Sequence, residues 1–202
     1  VKLARWILIT AAAALVGCGG ASEGISGGGK VIGRTVTVYS LMTDPAGRNR
    51  DFVDGEKLAL ADRGGRAGTL AVNFNSLDLG TDDSMEAEAV RRAVNDPQII
   101  AAVGDATPVT VPLFNAAGVL QVAPGGDFGL ASDPNAQPLG RQTTFQPRGE
   151  LPASFPADFR DAFGREPSPQ AENGYRSMAG VLQAIERAGA AGNDRTRVIE
   201  SY

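Results

Sequence analysis

The chain has 202 residues, 43% of them hydrophobic and 21% charged, with a formal net charge of -4. That is enough apolar material for a buried core in one or two ordinary domains, while the acidic balance repels a phosphate backbone and argues against nucleic acid as a partner. Histidine is absent and cysteine occurs once, so the commonest general base, the commonest metal ligand, an intramolecular disulfide and a zinc knuckle are all missing, and no cofactor or metal is expected.

Lys2 and Arg5 open the chain, and residues 6–16 form an apolar run. Eleven or so residues fall short of the roughly twenty that cross a bilayer. The run ends in Leu15-Val16-Gly17-Cys18, followed by Gly19-Gly20, which resembles a bacterial lipobox. Residues 1–17 are therefore expected to be a lipoprotein signal peptide and Cys18 the lipid attachment, where several acyl chains would hold the protein at a membrane. The competing reading, a core cysteine in an ordinary helix, leaves the basic start, the apolar run and the box as coincidence. Removal of Lys2 and Arg5 with the leader leaves 17 basic and 23 acidic residues, a net charge of -6.

Residues 18–34 read as a Gly/Ser-rich tether. Gly24, Gly29 and Lys30 have the spacing of a phosphate loop, but Val31 stands where Ser or Thr would hold Mg²⁺. The stretch also precedes the first strand, so no strand-to-helix turn is available for a nucleotide.

Residues 35–40 are β-branched and predict a first strand. A loop with Pro45 and Gly47 leads to a helix over 49–63, with Phe52, Leu58 and Ala59 on one side and Gly64-Gly65 as its stop. A second strand is expected at 69–74. Asp82 or Asp83 caps a helix over 85–95, with Met85, Ala89 and Ala93 at helical spacing, and Pro97 breaks it. Residues 99–103 are wholly apolar, as in a strand buried on both faces. A helix over 110–117, a turn at Gly118 and a strand over 119–123 follow.

Successive β-α units predict an α/β fold with a doubly wound, mostly parallel sheet. Ligands sit outside the carboxyl ends of such strands, here residues 40–43, 75–77, 104–107 and 124–127. Residues 133–156 are proline-rich and aperiodic, a long loop for a compact domain. Helices over 157–163, 171–188 and 195–202 complete the reading. Met178, Val181, Leu182 and Ile185 line the second, Gly189 stops it, and Asp194 caps the third.

These segments resemble a type I periplasmic binding protein of the branched-chain amino acid class. The resemblance is carried by Gly55-Glu56-Lys57-Leu58-Ala59-Leu60, by Ala93-Val94-Asn95-Asp96-Pro97 with Ala102-Val103-Gly104, and by residues 113–119. Val122-Ala123-Pro124 and the stretch from Phe159 through Gly174-Tyr175 to Ile185 extend it. It implies a single Rossmann-like lobe: residues 35–147 as the first segment, 148–156 as a junction where a second lobe is missing, and 157–202 as the returning helical segment. It further implies an extracytoplasmic lipoprotein, on the outer face of the cell membrane or in the periplasm, that binds an amino acid and serves an ABC permease.

The expected ligand-binding residues are Thr43, Asp105, Thr107, Gly126 and Asp127. The loop 104–107 is about four residues shorter than in the family, and the family's ligand-holding serine has no counterpart. Capping and turn chemistry is the alternative role for Thr107 and Asp127, an Asp-Pro turn for Thr43 and Asp44, and core packing for Tyr175. With one wall, binding is expected to be weak. The alternative function is a lobe that pairs with another protein or with itself as a homodimer. An enzyme is not expected, given the lack of histidine, of a G-x-S-x-G elbow and of a complete phosphate loop.

Overall fold

The computed structural model describes residues 29–137 and 139–202. The expected signal peptide, Cys18 and most of the expected tether lie outside the described residues. Strand β1 (Thr35–Met42) is buried at every position after the first, as a central strand covered on both faces must be. It pairs in parallel with β3 (Leu70–Asp78) on one side and β4 (Ile99–Gly104) on the other. The six-stranded order is β2-β3-β1-β4-β5-β6. Here β2 (Arg66–Ala67) is the antiparallel edge, and β5 (Leu120–Val122) and β6 (Thr144–Phe145) continue in parallel. The chain winds outward from β1 to β3, then returns to β4 and winds outward the other way. The direction therefore reverses between β1 and β4, which is the topological switch point of the sheet.

Helices α1 (Arg50–Asp62), α2 (Asp83–Val94) and α3 (Thr110–Ala117) connect the central strands. The short α4 (Phe128–Ser132) follows β5, and α5 (Phe155–Phe163), α6 (Pro169–Arg187) and α7 (Arg195–Ser201) close the chain. Alternation along β1 sorts the layers. Val36 and Val38 join the core built by α1, α5, α6 and α7, around Phe52, Phe155, Phe159 and Leu182. Tyr39 and Leu41 face the other way, with Val90, Ala93 and Phe114 of α2 and α3. The segment 157–202 thus completes the same lobe that residues 35–147 begin.

The α1–α6 crossing is set by two glycines. A Cβ on Gly55 would lie 2.1 Å from the Ala171 carbonyl oxygen, and one on Gly174 would lie 2.0 Å from that of Phe52. Each helix presents bare backbone to the other, so they approach more closely than side chains allow.

Four expectations change. The tether ends before residue 34, because Val31 is 1% exposed and exchanges hydrogen bonds with Asn193, its N–H donating to the Asn193 carbonyl at 2.7 Å. β3 runs on to Asp78, so its carboxyl end lies beyond 75–77. Met85 is 51% exposed and stands off the Ala89–Ala93 stripe, since in the first turn of α2 it lies against Gly80 instead. The proline-rich stretch contains β6, whose Thr144 hydroxyl donates to the buried Gln121 at 3.0 Å. Farther on, the Arg148 N–H donates to the Tyr202 hydroxyl at 3.1 Å, so this long segment is docked along the lobe.

Candidate functional site

Thr43 follows β1 directly and Asp105 follows β4, so the switch point sets them on facing rims. Between them opens a cleft of about 350 Å³, lined also by Arg48, the turn Leu79–Thr81, and Asp82, Asp83 and Glu86 of the α2 start, with Thr107 beyond. Asp105 lines a second hollow of about 200 Å³ as well, on the α1–α6 side, with Asn49, Phe52 and Asn173. It stands on the ridge between the two.

The backbone of Asp105 is pinned from beneath. Its carbonyl accepts from Gln121 Nε2 at 2.9 Å and from the Thr110 hydroxyl at 2.9 Å. Gln121 is fully buried on β5 and bonded on both sides of its amide, so a satisfied polar network fixes this rim. The side chain is treated differently. Partial burial pushes the Asp105 carboxyl above the usual range, and among the described residues no hydrogen bond or charge offsets it.

The opposite rim is tied by Asp78, at the end of β3. One carboxylate oxygen accepts from the Asp44 N–H at 3.1 Å and from the Gly80 N–H at 2.9 Å. Asp44 adopts a positive φ of 52°, and its own carboxylate accepts from the Arg48 N–H at 3.0 Å. The loops after β1 and β3 are thereby held together at the cleft mouth. Thr43 contributes its carbonyl to Asn49 Nδ2, which anchors the start of α1.

Of the five expected residues, the structure brings Thr43, Asp105 and Thr107 to the cleft. Thr107 arrives committed: its hydroxyl oxygen accepts from the Val109 and Thr110 N–H groups and its proton goes to Glu86. Gly126 and Asp127 line neither the cleft nor the adjoining hollow, although Gly125 beside them lines the hollow. Gly126, at φ +103°, forms a parallel bridge with Ala106, and exposed Asp127 caps α4 by accepting from the Gly129 N–H at 2.8 Å. Tyr175 is a core aromatic, edge-on to Phe155 at 5.1 Å, with its hydroxyl on Asp62.

Sequence reasoning missed Arg48 and Glu86, and it read Asp82 only as a cap. Asp82 and Glu86 lie four residues apart, and therefore on one face of α2, which was a usable signal. Arg48 sits in an irregular loop and offered none.

No protein-family model matches the chain, and no curated protein matches it. Among the solved structures it resembles are solute-binding proteins of ABC transporters. The leucine-binding protein LivK of Thermotoga maritima superposes with a TM-score of 0.61 at 14% identity, over 82% of this chain and 86% of that one. LivJ of Streptococcus pneumoniae, in complex with isoleucine, gives 0.61 at 12%, over 83% and 87%. A solute-binding protein of Rhodopseudomonas palustris, in complex with 3,4-dihydroxybenzoic acid, gives 0.64 at 10%, over 84% and 85%. At these identities the likeness is one of fold, and the described residues form a single lobe of the type I periplasmic-binding-protein fold. Two neighbours hold chemically different solutes, so the fold alone does not set ligand chemistry.

Proposed function

We propose that this chain is the recognition lobe of an extracytoplasmic solute-binding lipoprotein, anchored through Cys18 and serving an ABC permease. Its solute is an amino acid or a related amine, taken into the cleft between Thr43 and Asp105. The observation that carries this reading is Asp105 itself, a partly buried carboxylate at the switch point with no donor or charge acting on it among the described residues. An ammonium group would supply the missing partner. The solute-binding neighbours support the class of function.

The cleft is one open wall, so its polar groups stay hydrated, and each net hydrogen bond contributes about 0.5–1.5 kcal/mol. Three of them amount to roughly millimolar binding at best. Thermal melts with and without a panel of amino acids at about 10 mM test the reading. A ligand at about ten times its dissociation constant stabilises by ~1.4 kcal/mol, which at this size moves the midpoint by about 3–6 °C. A shift with some members of the panel is expected, and a cooperative melt that no member moves would contradict it. The alternative, a lobe that pairs with itself or another protein, would need an apolar face. Among the described residues the large exposed apolar side chains are Ile32 and Met85, on separate elements, and they give it no specific support.

A further inference from the structure

We infer that the cleft reads the positive end of its solute and not the negative end, so that its ligands are primary amines or related organic cations for which a carboxylate is dispensable. This rests on the solute-binding reading above and names the chemical class that the same site selects.

A solute carboxylate needs hydrogen-bond donors or a cation. Helix N-termini are ready-made anion sites, because their first N–H groups point outward unpaired. Two helices start at this cleft, and both are already filled. At α2, Asp82 Oδ1 accepts from the Ser84 and Met85 N–H groups at 2.9 and 3.0 Å. Ahead of α3, the Thr107 hydroxyl accepts from Val109 and Thr110 at 3.2 and 3.0 Å. Its single proton is spent on Glu86 Oε1 at 2.5 Å. A carboxylate arriving at either helix meets acceptors where it needs donors.

The remaining candidate for an anion is Arg48. Its side chain is 76% exposed, and its guanidinium lies 3.6 Å from the Asp44 carboxylate, so it faces a counter-charge of its own and reaches mostly into water. Among the described residues, the cleft sets this one cation against Asp82, Asp83, Glu86 and Asp105. The local potential therefore attracts cations and repels carboxylates. These acids do not form a metal cage, for among the described residues no group of three or more could hold a metal ion.

Asp105 provides the positive argument. Its carbonyl is pinned by Gln121 and Thr110, which fixes the residue, while among the described residues its carboxylate has no donor on the ridge between two hollows. An ammonium has three donors and suits such a site. With a cation beside it, the energetic cost of keeping Asp105 ionised in partial burial is offset.

The test uses the full chain in mild detergent, with thermal melts and calorimetry. The probes are the free acids, the primary amides and the deaminated carboxylates of alanine, leucine and phenylalanine, matched in concentration. The amides are expected to raise the midpoint at least as much as the free amino acids, and to bind roughly tenfold or more tightly than the deaminated acids. Asp105→Asn, close in shape, is expected to melt cooperatively and to lose the amide-induced shift. Free amino acids that bind while their amides do not, or deaminated acids that bind, would overturn the inference and leave the solute-binding function standing. An Asp105→Asn variant that keeps the full amide shift would also overturn it. No shift with any probe would overturn both the inference and the function it rests on.

Discussion

The Thr107 hydroxyl donates to Glu86 Oε1 at 2.5 Å, tying the approach to α3 to the first turn of α2. Because the same oxygen accepts the Val109 and Thr110 N–H groups, Thr107 holds the cleft floor in place and has nothing left for a solute. Loss of such a capping group costs about 0.5–2 kcal/mol. Thr107→Ala is expected to lower stability by that amount in urea unfolding, with Thr107→Ser restoring most of it. The solute-induced shift should survive in both.

Gly126 is required by its backbone. At φ +103° any L side chain is strained, and a Cβ there would lie 2.1 Å from the Ala106 carbonyl oxygen. Gly126→Ala must break the bridge to Ala106 or displace the loop after β4, and a loss of about 2 kcal/mol or more is expected. A thermal melt checks this directly.

The α1–α6 crossing makes a similar demand on Gly174, which meets the Phe52 backbone. Gly174→Ala would favour an isolated helix by about 1 kcal/mol through propensity. Here it is expected to destabilise, by roughly 1–3 kcal/mol for overpacking. A raised unfolding midpoint for this variant would show that the helices are not in backbone contact.

Glu56 on α1 is 0% exposed, and neither of its carboxylate oxygens has a hydrogen-bond partner; the Ser40 hydroxyl also lacks one. Burial pushes the Glu56 carboxyl well above its usual value, and neighbouring Ser40 and Lys57 offset only part of this. A carboxyl raised on folding contributes stability that is fully present below the unfolded value, about 4.3. That contribution is lost as pH rises through the folded value. Stability should therefore fall on the alkaline side, and Glu56→Gln should flatten that slope and be at least as stable as the parent at pH 8. Parallel pH profiles for parent and variant would contradict this.

Where hydrophobic period and capping chemistry agreed, the sequence was readable to within a residue or two. Residues 110–117 became α3 because Gly118, in the left-handed conformation, could end it. Asp82 and Asp194 cap α2 and α7 through two N–H groups each. β6 was not readable, because two residues carry no period and its backbone partner, β5, lies far back in the chain. The same contrast runs through the site. Strand ends placed Thr43 and Asp105, since topology alone determines which loops meet. Gly126 and Asp127 are engaged instead by bonds to Ala106 and Gly129 that a linear reading does not reveal. Arg48 and Glu86 reach the cleft from a loop and a helix face that only the folded chain brings together.

The most direct measurement is an amide NMR map of the folded chain titrated with leucinamide. The account predicts shifts centred on Thr43, Gly80, Asp105 and Thr107, with the opposite, amino-terminal end of the strands, around Val31 and Asp96, unmoved. Shifts confined to that amino-terminal end, or a titration that leaves the four cleft amides unmoved, would contradict it.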